Sequence, residues 1–428
     1  MHAAGAYPAA MRLACLLAVG LLAACSDAPP PLAPAPRAQP APRAIVVTAW
    51  PLPGGIHAAQ PDLVRAHDGA LLLSWIERDG GGHALRLARW HGARFGPVRT
   101  VARGDDWFVN WADTPHVMAT ADGALWAQWL RKSATATYAY DVQLARSADG
   151  GASWSAPWTV NTDGTPTEHG FASLWPAARD AAGIAWLDGR NTGGDAHAGH
   201  DGHHGGGGAM TLRSAVFAAD GTRRDEAELD ASTCDCCQTD VVVAAGVPLL
   251  AYRDRTADEV RDILITRRTG DGWSAPRAVH ADGWRMPACP VNGPAAAAHG
   301  GEVAVAWYSE GSGAPVVSLA RSSDGGATFA APLRIDGGPA VLGRVALARA
   351  RDAWWVAWLR EDAGVQSLHL ARVDRAASRV EQGTRIATLT GRGRGTGVPQ
   401  LAPDGDGVRV AWTDVVEGAP RLHGALVR

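Results

Sequence analysis

A short apolar run closing on an aromatic residue recurs seven times along this chain, at intervals of 51 to 66 residues. The runs are LLLSW (Trp75), LWAQW (Trp129), GIAW (Trp186), LLAY (Tyr252), VAVAW (Trp307), WWVAW (Trp358) and VRVAW (Trp412). Each alternates or is continuously apolar over a few residues, which is strand patterning rather than helix patterning. Upstream of these aromatics lie shorter strand-like segments that start at a Pro, Thr or Gly, such as QPDLV, TPHVM, QTDVV, GPAAA and VPQLA. Tight turns (HDG, ADG, HGG, PDGDG) join the two, and a third strand follows in LRLARW, VQLARS, ILITRR, SLARS and LHLARV. A fourth strand completes each unit. Four strands per roughly 55 residues, with no helical period between them, describe an all-β chain built as a β-propeller.

The turn between third and fourth strands adds a motif. Ser147, Asp149, Gly151 and Trp154 in one unit, and Ser322, Asp324, Gly326 and Phe329 in another, match the Asp-box pattern; Thr269 to Trp273 is a worn copy. At these residues the chain resembles the sialidase-like, or bacterial neuraminidase repeat, propellers. The resemblance implies that the Asp-box is a structural hairpin on the face opposite the ligand site. Members with sialidase activity have six blades, whereas seven repeat units are present here, so seven blades are expected with six as the alternative. The last unit, from Val398, has only three strands. The AIVVTAW stretch at 44–50 is expected to supply the fourth, closing the ring and removing an exposed edge.

The N-terminus reads as an address. Leu13 to Ala24 is an apolar run of 12 residues, too short to span a bilayer but suited to a signal-peptide core, and Leu22-Ala23-Ala24-Cys25 resembles the bacterial lipobox. The expected organisation is a signal peptide over 1–24, a lipidated Cys25, a Pro/Ala-rich tether over 25–43 and the propeller over 44–428. Asp27 does not directly follow Cys25, which points to an outer-membrane lipoprotein facing the periplasm or the cell surface. The net charge of −3, without blocks of like charge, argues against a nucleic-acid partner. The membrane, through lipid, and a protein or glycan on the top face are the partners expected of a monomer.

The repeat register puts the segment before each first strand, and each loop between second and third strands, on one face. The sialidase resemblance implies three arginines around a carboxylate, a tyrosine nucleophile paired with a glutamate, and an aspartate acid/base. Arg253, Tyr308 and Arg344 are the candidates for such a site. The Arg-Ile-Pro motif that carries the family's first arginine is absent; His57 to Asp62 (HAAQPD) stands there instead. A non-hydrolytic binding or metal-handling protein is therefore favoured over an exo-glycosidase of the sialidase type.

Cysteine carries the stronger signal. Cys234, Cys236 and Cys237 lie in TCDCCQTD and Cys289 in ACPVNGP, each group preceding a first strand of adjacent blades. Two readings stay open. The cysteines can pair as disulfides in an oxidising compartment, with Cys234–Cys289 the leading bridge, or act as soft thiolates for Cu(I) or Zn(II). His197, His200, His203 and His204 occupy a Gly-rich insertion one blade earlier, with Met210 just after them, and add donors that suit copper or zinc. No Walker, His-Glu-x-x-His or Gly-x-Ser-x-Gly motif occurs.

Overall fold

The computed structural model describes residues 44–193, 208–270 and 272–428. Seven antiparallel sheets succeed one another along the chain, and every core-run aromatic falls on the second strand of its sheet. The blades begin with the strands Ala58–Arg65, Val117–Ala119, His169–Pro176, Asp240–Ala244, Ala295–His299, Val341–Ala350 and Gln400–Asp404. Six blades take four or five consecutive strands. The seventh takes Gln400–Asp404, Gly407–Val416 and Ala419–Val427, then Val47–Ala49 as its outermost strand. Val47 faces Val427 and Ala49 faces Ala425 in that pairing, so the first described strand closes the ring on the last. The fold is a seven-bladed, all-β propeller; among the described residues there is one short 3-10 turn, Gly393–Thr396, and no α-helix.

The repeat aromatics form the sandwich between sheets. Trp75, Trp129, Trp186, Tyr252, Trp307, Trp358 and Trp412 are all buried. Clusters such as Trp284, Tyr308, Val317, Trp354 and Trp358 draw side chains from two successive blades. The apolar face of one twisted sheet is thus covered by its neighbour.

The innermost strand of a blade is an edge whose backbone amides need partners. The chain meets this need by lending a polar side chain across five of the seven junctions. Asp62 Oδ2 accepts from Val117 N at 3.2 Å, Asp113 Oδ1 from Phe171 N at 2.8 Å and Asp240 Oδ2 from Ala296 N at 2.7 Å. Asn292 Oδ1 accepts from Arg344 N at 2.7 Å, and Thr413 Oγ1 closes the circle by accepting from Gln60 N at 3.1 Å.

Both complete Asp-boxes fold as expected. Asp149 Oδ1 accepts from Ser153 N at 2.9 Å, while Ser147 Oγ accepts from Gly151 N at 2.8 Å. Asp324 and Ser322 repeat the pattern with Thr328 N and Gly326 N. Gly326 has φ 79° and presses on the preceding blade, where an added Cβ would lie 2.1 Å from Leu249 Cδ1. Only glycine meets both demands. Trp154 and Phe329 pack on the edges of core clusters. In the worn copy, Gly272–Trp273 still pairs with Ile263–Thr269.

Candidate functional site

The first strands surround a central cavity of about 290 Å³ whose walls include Asp62, His116, Ser173, Asp240, Arg344 and Gln400. Of the three residues that the sialidase resemblance points to, only Arg344 lines it. Its guanidinium lies 4.4 Å from the Trp111 ring, and Nη1 donates to Gly393 O and Thr396 Oγ1. Burial, and then the charge of Arg394, lower its pKa to about 10.

Arg253 lies outside this cavity. Its side chain is 2% exposed, and its donors are taken by main-chain carbonyls. Nε donates to Asn292 O at 2.8 Å, Nη1 to Arg261 O at 2.5 Å and Nη2 to Tyr308 O at 2.7 Å. A guanidinium that ties three segments together has no fork left for a ligand carboxylate. Tyr308 is buried in the fifth blade and donates to Glu310 Oε1 at 2.6 Å. Burial and that glutamate hold its phenol above the usual range, so the hydroxyl keeps its proton.

The cysteines do come together. The loop before the fourth blade is pinned by Thr233 N and Cys234 N, which donate to Met210 O and Arg253 O. The Sγ atoms of Cys234, Cys236 and Cys237 lie within 4.8 Å of one another. Cys234 Sγ is 3.1 Å from Cys237 Sγ and 4.0 Å from Cys236 Sγ. Cys289 Sγ approaches Cys236. Cys236 packs against the cluster of Phe171, Trp175 and Tyr252. Cys234 and Cys237 are buried, while Cys236 and Cys289 are partly exposed.

Three sulfurs so close cannot all ionise in a buried place, and the surroundings choose one. Arg261, itself buried, sends Nη1 to within 3.2 Å of Cys234 Sγ. Burial alone would raise the Cys234 pKa; hydrogen bonds from Cys236 and Cys237, with the Arg261 charge, outweigh it and hold the thiol well below its ordinary value. Burial and the neighbouring Cys234 sulfur push Cys236 and Cys237 well up. Arg261 is in turn held by Glu259 at 2.8 Å, and Glu259 also pairs with Arg255, which reaches Asp235 in the cysteine loop. Sequence reading missed Arg261. It stands 27 residues from Cys234, in the loop between second and third strands of the same blade.

His197, His200, His203 and His204 lie outside the described residues, as does Cys25. The described ends of the insertion are joined by Gly208 N donating to Asn191 O at 2.7 Å. Met210 packs with Leu212 and Tyr252 in the cluster whose edge includes Cys236.

A second cluster, Asp163, His169 and Asp188, brings donor atoms equally close. Here Arg190 already grips both oxygens of Asp188 at 2.7 Å. His169 is fully buried, with Nε2 3.2 Å from Asp163 Oδ1. Burial alone would lower its pKa, but Asp163 and Asp188 raise it above the ordinary value, which marks an ion-pair network.

No family model and no curated protein sequence matches this chain. Solved structures resemble it at the level of the fold. An α-L-arabinanase of Penicillium chrysogenum is 12% identical, with a TM-score of 0.47 over 86% of this chain and 93% of its own. The polysaccharide lyase Uly1 is 9% identical, with a TM-score of 0.49 over 87% and 89%. A Trypanosoma rangeli sialidase is 12% identical, with a TM-score of 0.44 over 77% of this chain and 56% of its own.

Proposed function

We propose that this chain is an extracytoplasmic, lipid-anchored propeller that holds a soft cation, Cu(I) ahead of Zn(II), on the sulfurs of Cys234, Cys236 and Cys237. The observation that carries the reading is the approach of three sulfurs within 4.8 Å, beside a buried guanidinium. Soft thiolates favour Cu(I) over hard cations, and a set of three suits it better than zinc, which favours four ligands. Trigonal binding at a metal–sulfur distance of about 2.3 Å needs sulfurs about 4 Å apart. The Cys234–Cys236 separation of 4.0 Å meets this, and Cys237 has to swing outward from its 3.1 Å contact. Binding displaces the protons that Cys236 and Cys237 carry, and Arg261 offsets part of the remaining negative charge. His197, His200, His203 and His204 join the reading as weaker collecting donors.

Anaerobic Cu(I) titration of the reduced protein against a competing chelator is the test. The wild type is expected to bind about one Cu(I) tightly, and the Cys236→Ser/Cys237→Ser variant to lose that site. Equal affinity in both would reduce the cysteines to packing residues. For the anchor, Cys25→Ala is expected to move the protein out of the membrane fraction.

The Tyr308–Glu310 hydrogen bond supports a second reading, an exo-glycosidase of the sialidase type. Turnover of a fluorogenic sialoside that disappears in Tyr308→Phe would establish it.

A further inference from the structure

The three clustered sulfurs are not equivalent, and the difference has the form of a redox couple. Cys234 and Cys237 are spaced Cys-x-x-Cys, and their sulfurs, 3.1 Å apart, are nearer to each other than those of Cys234 and Cys236 at 4.0 Å. The first cysteine lies beside the buried Arg261 guanidinium, 3.2 Å from Nη1, and the second is buried behind it. Two sulfurs 3.1 Å apart at Cys-x-x-Cys spacing, one of them next to a cation, are placed to close to a disulfide by exchange.

We infer that Cys234 and Cys237 form a reversible dithiol–disulfide pair whose closure dismantles the cation site. The pairing stands on the sulfur geometry alone; the gating rests on the soft-cation reading above. The oxidant is a low-molecular-weight disulfide. Cys234 and Cys237 are buried, so the small disulfide meets the cluster at the partly exposed Cys236. Cys236 gives up its proton and attacks the disulfide, forming a mixed disulfide and releasing one small thiolate. The Cys234 thiolate then attacks the Cys236 sulfur and releases the second small thiolate. Cys237 loses its proton and attacks Cys234, forming the Cys234–Cys237 bond and returning Cys236 as a thiolate that takes up a proton. Both electrons of the new bond's oxidation end on the small disulfide, which becomes one thiolate and one thiol. Of the three ligand sulfurs only Cys236 then remains able to ionise.

The experiment treats the full chain, reduced and metal-free, with excess hydroxyethyl disulfide, then maps the disulfides by non-reducing peptide mass spectrometry and titrates Cu(I) before and after. The expected result is a Cys234–Cys237 bridge, loss of Cu(I) binding in the oxidised protein and its return on reduction. Arg261→Gln, with all cysteines retained, is expected to slow closure of the bridge, because it weakens the Cys234 thiolate. A bridge to Cys289, or four free thiols after treatment, overturns the pairing while Cu(I) binding by the reduced protein keeps the proposed function. A Cys234–Cys237 bridge in a protein whose reduced form binds no Cu(I) overturns the gating and the proposed function together, and leaves the pair. Cu(I) binding that is unchanged by the bridge overturns the gating alone.

Discussion

Arg261 Nη1 donates to Cys234 Sγ across 3.2 Å, and this contact biases which of three neighbouring thiols carries the charge. The hydrogen bonds from Cys236 and Cys237 stabilise a thiolate at Cys234, but burial opposes any charge there. The guanidinium tips the balance, since a buried anion needs a paired cation.

Replacing that cation gives the first prediction. Arg261→Gln keeps a hydrogen-bond donor and removes the charge, so the Cys234 thiol should titrate higher. Thiolate ultraviolet absorbance followed against pH on the reduced protein reads this directly. An unmoved midpoint would mean that the sulfur hydrogen bonds alone hold the thiolate.

The second prediction concerns Arg253, which the sialidase resemblance offers as a ligand residue and the structure makes a tie between segments. Its three carbonyl partners come from Asn292, Arg261 and Tyr308. Lysine cannot span them, and buried carbonyls left without donors are costly. Arg253→Lys should lower unfolding stability by about 3 kcal/mol in urea melts. Any sialoside binding by the folded variant should match the wild type. A selective loss of binding with unchanged stability would return Arg253 to the ligand site.

These cases mark how far the sequence was legible. Trp75 through Trp412 announced the blades, and AIVVTAW announced the closing strand, because burial and edge pairing follow from periodicity. The Asp-boxes were legible because their hydrogen bonds are local. The surroundings of Arg253 were not legible, because register places a backbone on a face without saying which carbonyls surround the side chain. Arg261 and Cys289 depended on loop paths, which no periodicity encodes. The junction acceptors left a faint trace, the aspartate just inside the first strand in QPDLV and QTDVV, whose partners become visible only when blades stand side by side.

His169 supplies the third prediction. Asp163 and Asp188 raise its folded-state pKa above the ordinary 6.5, against the effect of burial. A raised histidine contributes stability that is complete below the unfolded pKa and is lost as pH rises through the folded one. Asp163 is depressed: burial acts against its charge, but hydrogen bonds from His169 and Thr165 prevail, so its contribution is lost only in strong acid. His169→Gln should therefore cost about 3 kcal/mol at pH 6 and distinctly less at pH 9, read from urea melts at both values. An equal cost at the two pH values would mean that His169 is buried neutral.

Asp113 should behave in the opposite sense to an ordinary surface carboxylate. Burial, and then the charge of Glu168, raise its pKa to about 8, although Phe171 N donates to it. Glu168 itself accepts from Tyr140 OH at 2.5 Å. With the folded pKa above the unfolded one, the native chain binds more protons between about pH 4 and pH 8, and stability falls as pH rises through that window. Asp113→Asn keeps the oxygen that accepts from Phe171 N and replaces the acid with a neutral donor. The variant should be more stable than the wild type, with an advantage that grows by at most about 1.4 kcal/mol per pH unit up to pH 8 and then levels off. Chemical denaturation across that range checks the slope. A flat difference would mean that Asp113 is ionised in the native protein.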